Sequence, residues 1–128
     1  MAKVIGSVDQ RGRPVIRIEG KSESILVVVD TGFNGDLLLA REAARLLGVD
    51  PISKETEIEL GDGRTVVVNE ARATITWLEQ NRRVRVLVSD DWISVGDAPV
   101  GLLGTDLLVP HLLLIDFADG TVEIETQD

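Results

Sequence analysis

Cysteine is absent from the 128 residues, which excludes disulfides and thiolate metal sites. Tyrosine is absent too, and aromatic residues make up only 3% of the chain. A core must therefore be assembled from Val, Ile, Leu and Ala, and the Val and Ile content favours strands. Histidine occurs once, at His111. No G-x-S-x-G elbow accompanies it, and no H-E-x-x-H pair or close His/carboxylate cluster suggests zinc. His111 reads as a strand-edge residue, and neither a metal nor a cofactor is expected. No apolar run approaches the roughly 18 residues of a membrane span. The opening Met1-Ala-Lys-Val-Ile lacks the apolar stretch of a secretory signal, so the expected location is the cytoplasm. Basic residues are the scarcer charge, 13 Lys and Arg against 22 Asp and Glu, for a net −9. That balance argues against nucleic-acid or anionic-membrane partners. The cluster Arg82, Arg83, Arg85 alternates with Val84 and Val86 and reads as the solvated face of one strand.

Apolar residues make up 44% of the chain, enough for one domain over residues 1–128. Val4-Ile5 and Val15 to Ile18 flank a turn-like Asp9 to Pro14, a hairpin pattern. Ile25 to Val29 is a continuous apolar strand, buried on both faces if taken literally. A loop follows at Asp30 to Gly35, then a short strand at Leu37 to Leu39. Arg41 to Leu47 is the best helix candidate, with Ala43, Ala44, Leu46 and Leu47 at helical spacing. Gly48 suits the position after its end, and Pro51 prevents continuation. Ile58 and Leu60 alternate, Gly61-Asp62-Gly63 turns, and Val66 to Val68 returns. Residues 71–78 and 83–88 suggest a further hairpin around Glu79 to Arg82. Trp77 alternates with Ile75 and belongs in the core. Residues 90–99 read as a loop containing Trp92, an interface or pocket residue. Val100 to Phe117 suggests a strand, a short helical turn and a strand. Ala118-Asp119-Gly120 signals a final hairpin closed by Thr121 to Glu125. Many short strands with one or two short helices predict an all-β closed barrel or sandwich.

Against that background the stretch Ile25-Leu-Val-Val-Val-Asp30-Thr31-Gly32 is unusual. It drives an apolar strand straight into a carboxylate, and carboxylates are rarely buried without partners. Gly32 has no Cβ, so its amide can approach the carboxylate closely. Thr31 adds a hydroxyl on a stiff β-branched body. Such a loop can hold an ionisable group where its surroundings shift its pKa. Taken alone, three residues also fit a turn with an aspartate cap.

A second element, Leu102-Leu103-Gly104 followed by a short helix, comes about 70 residues later. "VVVDTGFNGDLLLA" and "GLLGTDLLVPHLLLIDF", in that order, resemble the retropepsin-like aspartic proteases, the single-domain relatives of pepsin. The resemblance covers roughly residues 4–125. It implies that the second stretch wraps around the Asp-Thr-Gly loop. It also implies that two aspartates share a proton, one accepting a proton from water while the other donates to the scissile carbonyl. The chain holds only one such motif, since Asp119-Gly120-Thr121 has the letters in another order. The resemblance therefore implies a homodimer, with Asp30 contributed by each copy.

The same resemblance makes Thr31 the residue that braces the two loops across the axis and Gly32 the backbone that approaches substrate. Gly61, Asp62 and Gly63 become the tip of a hairpin that closes over bound peptide. Phe33-Asn34-Gly35-Asp36 departs from the Ala-led sequence of viral members. Asn34 or Asp36 is expected to bind substrate backbone there, with Asn34 the candidate. Asp106 is expected to cap the short helix or bond the active-site loop. The implied activity is that of an aspartic endopeptidase acting on peptides or proteins. The alternative is a retropepsin-like dimerisation or peptide-binding module without hydrolysis. An apolar strand ending in Asp-Thr-Gly is also similar to the aspartyl-phosphate ATPases. Those have a lysine soon after the aspartate, where this chain has Phe33.

Overall fold

Short runs rich in Val, Ile and Leu become strands throughout, and their register decides which carboxylates meet solvent. The computed structural model describes residues 2–50, 54–59, 63–90 and 99–127. Leu60, Gly61, Asp62 and Trp92 lie outside them. The strands are β1 (Lys3–Val8), β2 (Pro14–Glu19), β3 (Ser24–Val29), β4 (Leu37–Ala40) and β5 (Lys54–Glu59), followed by β6 (Thr65–Trp77), β7 (Gln80–Ser89), β8 (Gly101–Leu103), β9 (Leu112–Asp116) and β10 (Thr121–Glu125). Helix α1 (Arg41–Leu47) follows β4, and α2 (Thr105–Leu108) follows β8. The strand order is β5-β6-β7-β4-β8-β3-β2-β1-β10-β9, and a pairing of Glu19 with Thr76 joins β2 to β6. That contact closes a six-stranded barrel, the all-β architecture that the strand pattern predicts. Closure removes the open edges of the central sheet.

Ile16, Leu37, Leu39, Ile75 and Leu103 of the strands and Leu47 of α1 are fully buried in the main core. Trp77 is buried as expected, and its indole N–H donates to the Leu107 carbonyl of α2 at 3.2 Å. Helix α1 ends where Gly48 adopts φ +85° and its amide returns to the Ala44 and Arg45 carbonyls, the left-handed cap that glycine favours. Ala43, Ala44 and Leu47 face the core, whereas Leu46 is 40% exposed and lies off the apolar stripe.

Two local readings change. β3 is not buried on both faces: Ile25, Val27 and Val29 are buried while Leu26 and Val28 are half-buried. A barrel strand has one face inside and one outside. β4 is the strand buried throughout. Its outward Leu38 joins Phe33, Val68 and Leu87 in a second cluster, against which Ile58, Val66 and Leu102 pack. The β6–β7 turn is also tighter than its sequence suggests. It closes at Leu78 and Glu79, with φ of +51° and +68°. Two consecutive positive φ values mark a twist-matched hairpin turn, usually built from Asn and Gly. Leu78 is buried here, so packing offsets the backbone cost.

The terminal strands pair with each other. β1 runs antiparallel to β10 from Lys3↔Glu125 to Ser7↔Thr121, and β10 pairs in turn with β9. β1 meets β2 only through Ser7↔Val15 and Val8↔Pro14. Among the described residues, β9 and β5 end the strand order. No described helix is long and apolar enough to cross a membrane.

Candidate active site

The path of β8 determines where Asp30 goes. β8 pairs in parallel with β3 (Val28↔Leu102) and antiparallel with β4 (Leu37↔Leu103), so it lies between them. The segment joining β3 to β4, residues 30–36, must therefore cross the end of β8. Backbone bonds fix that crossing. The Asp30 amide donates to Leu103 O at 2.9 Å, and the Gly104 amide to Asp36 O at 2.9 Å. The Thr105 amide donates to Phe33 O at 2.9 Å and the Asp106 amide to Gly35 O at 3.1 Å. The Thr105 hydroxyl adds a bond to Asn34 Oδ1 at 3.2 Å. Gly104 is required sterically, because a Cβ there would overlap Gly35 O and stand 2.5 Å from Phe33 O. The wrapping of Leu102-Leu103-Gly104 around the Asp-Thr-Gly loop is thus present in atomic detail.

Within the loop, Asp30 is half-buried, and Thr31 and Gly32 are exposed. The Gly32 amide donates to Asp30 Oδ1 at 2.8 Å, and the Phe33 amide to Asp30 O at 3.2 Å. A Cβ on Gly32 would come within 3.2 Å of Asp30 Oδ1, so the small residue permits the close approach. Asp30 Oδ2 and the Thr31 hydroxyl have no hydrogen-bond partner among the described residues. The carboxylate is thus oriented through one oxygen and open at the other. Such an oxygen can accept a proton from a bound water or carry one to a carbonyl.

Asn34 is exposed, with its carbonyl oxygen tied to Thr105. Asp36 turns back into the framework, where its Oδ2 accepts from the Arg85 amide at 2.9 Å. Asp106 serves through its backbone: α2 starts without a side-chain cap, and the Asp106 amide holds the loop. Gly63, at φ +86°, stands in the connection between β5 and β6. The other proposed tip residues, Gly61 and Asp62, fall outside the described region. Phe33 and Thr105 are the residues that sequence reasoning passed over. Phe33 is buried in the second cluster with Ile58 and Val66 of the β5–β6 hairpin packed against it. It thereby connects the hairpin to the Asp30 loop. Thr105 is visible only as a hydroxyl following the glycine that crosses the loop. No group of His, Cys, Asp or Glu able to hold a metal ion occurs among the described residues. His111 precedes β9, and its amide donates to Leu108 O at 2.6 Å.

Comparison with solved structures places this geometry. The chain is similar to a retropepsin-like aspartic protease from Rickettsia conorii, with a TM-score of 0.63 and 21% identity over 95% of this chain and 89% of that one. It is also similar to EIAV protease complexed with the inhibitor HBY-793, with a TM-score of 0.60 and 26% identity over 78% of this chain and 88% of that one. No family model and no curated protein matches the sequence. The chain has the retropepsin-like fold, and its structural neighbours are aspartic proteases.

Proposed function

We propose that this protein is an aspartic endopeptidase that acts as a homodimer, with one Asp30 from each copy forming the site. The observation that carries the reading is the Asp30 loop. It is anchored by four backbone bonds to the β8–α2 segment, yet it leaves Asp30 Oδ2 and the Thr31 hydroxyl without partners among the described residues. The chain has one Asp-Thr-Gly, so a second aspartate comes from a second copy. Two carboxylates a few ångströms apart cannot both ionise cheaply and share a proton instead. The ionised member takes a proton from a water held between them, and that water attacks the scissile carbonyl carbon. The protonated member donates to the carbonyl oxygen. Thr31 braces the two loops across the axis. Gly32 presents backbone to the substrate, and Asn34 binds the peptide beside it. The hairpin bearing Gly61, Asp62 and Gly63 closes over the bound chain and excludes bulk water. The cluster of Phe33, Val66 and Leu102 supports apolar side chains flanking the cut.

The second copy is expected at the β9 edge. β1 and β10 pair with each other within the chain. β9 ends the strand order, with Leu112 and Leu114 exposed at 43% and 49%. An open apolar edge of this kind readily pairs with another strand.

A peptide-library digest with wild type and Asp30→Asn, run beside sedimentation, tests the reading. Wild type should cleave as a dimer, and Asp30→Asn should dimerise without cleaving. Full activity from a monomer would defeat the shared site. Peptide binding without cleavage would favour the non-hydrolytic module.

A further inference from the structure

A cavity of about 350 Å³ opens beside the β6–β7 turn, within the range of roughly 300–1,000 Å³ typical of small-molecule sites. None of its lining residues belongs to the Asp30 loop or to the β5–β6 connection. Trp77, Leu78 and Pro110 form its apolar walls, and no carboxylate is among the described residues that line it. In a chain of net charge −9, a lining that joins an arginine to apolar walls without a carboxylate favours an anionic occupant.

Its charged group is Arg82. Arg83 pairs with Asp50 and Arg85 with Glu70, but Arg82 has no carboxylate partner among the described residues. One arm of its guanidinium makes a long contact to Asp106 O at 3.5 Å, which leaves most of the fork unengaged. His111 is the second polar group. Its Nδ1 is buried without a hydrogen-bond partner among the described residues. A proton there would create a buried, unpaired N–H, which folded proteins avoid more strictly than an unpaired acceptor. A proton on Nε2 leaves Nδ1 as the bare acceptor and offers a donor to a ligand in the cavity that His111 lines. The Thr126 hydroxyl is already engaged with the Ala2 backbone.

We propose that this cavity binds a small organic acid. The carboxylate is held by the Arg82 guanidinium and the His111 Nε2–H, and the apolar body lies against Trp77, Leu78 and Pro110. A guanidinium fork matches a carboxylate in geometry as well as charge, and the apolar walls select against inorganic anions. The site stands independently of peptide hydrolysis.

Benzoate and the neutral isostere benzamide are the probes, titrated separately into the full chain at fixed, near-neutral pH. Binding is followed through NMR shifts of the Trp77 indole N–H and the His111 ring. Benzoate should shift both signals, and benzamide should bind at least about ten-fold more weakly, a factor corresponding to ~1.4 kcal/mol. Arg82→Gln lies on an exposed strand face and should keep the wild-type melting temperature while weakening benzoate about ten-fold. His111→Phe should weaken benzoate as well; if that variant does not fold, Arg82→Gln decides alone. Equal affinities for benzoate and benzamide, unchanged benzoate affinity in Arg82→Gln, or no Trp77 shift at millimolar benzoate would overturn the proposal.

Discussion

Asp9 follows β1 and Asp30 follows β3, so both open turns at strand ends. At Asp9, Oδ1 accepts from the Arg11 and Arg13 amides, each at 2.9 Å, and Oδ2 accepts from Arg13 Nε at 2.9 Å. At Asp30, Oδ1 accepts from the Gly32 amide alone, and Oδ2 has no described partner. Asp116 resembles Asp9, with Oδ1 accepting from the Ala118 and Asp119 amides at 3.0 Å each. An aspartate that only shapes a turn surrounds itself with donors belonging to that turn. The Asp30 loop is instead held by backbone groups of β8 and α2, so its carboxylate is not needed to stabilise the loop. Relieving the carboxylate of a structural role leaves it available for chemistry.

The largest expected effect breaks the comparison most directly. Asp30→Asn should lower peptide hydrolysis by a factor on the order of 10³ or more, since general acid–base transfer is lost. Its melting temperature should stay close to wild type, because Gly32 can still donate to the amide oxygen. Asp9→Asn should do the reverse, lowering the melting temperature while cleavage persists. Loss of cleavage in both variants would mean that the two turns are not separable.

Gly104 and Gly12 sharpen the same contrast at the backbone. Gly104→Ala should destabilise by about 3 kcal/mol, at the upper end of core overpacking, because its Cβ would meet the Phe33 and Gly35 carbonyls. Gly12, in the Asp9 turn, has φ +80° and nothing within 4 Å of a Cβ. Gly12→Ala should cost only about 1 kcal/mol, the penalty of a left-handed residue. Urea unfolding of both variants gives the difference directly.

Trp77→Phe tests how firmly the loop is supported from behind. The change removes the donor to Leu107 O on α2 and should cost about 1–2 kcal/mol through an unsatisfied buried carbonyl. The accompanying loss of amide protection should extend to Thr105 and Asp106. Protection confined to its wild-type pattern would show that α2 does not depend on the indole.

The smallest effect is in pH. The Asp9 carboxyl is held below its usual range, chiefly by the Arg13 amide; desolvation opposes this, and the Arg11 amide and the Arg13 side chain add to the lowering. A carboxyl lowered in the folded state contributes stability above its unfolded value, and that contribution is lost as pH falls through the folded value. Amide protection at Gly12 and Arg13 should therefore decline in acid for wild type. It should be flat with pH in Asp9→Asn.

The all-β character, the α1 span and the Asp-Thr-Gly and Leu-Leu-Gly pair were legible because each rests on local pattern. Strand periodicity, a glycine after a helix and short motifs need no knowledge of distant residues. The β6–β7 turn was misjudged because Leu78 adopts a positive φ that only its burial explains. β3 was over-read as doubly buried because a run of apolar residues does not say which side of a barrel wall each one faces. Phe33 was overlooked because its cluster draws on residues from β4, β6 and β7.

By itself, then, the sequence determined that short apolar strands would form, and that one aspartate would sit at the end of such a strand beside a glycine. Tertiary structure alone decided that β8 would lie between β3 and β4 and force residues 30–36 across its end. It alone decided that β1 and β10 would pair with each other and leave β9 at the edge. The physical reason is that strand pairing uses backbone groups every residue carries. Partner choice is therefore set by which register buries the most apolar surface across the whole chain, a quantity no local stretch contains.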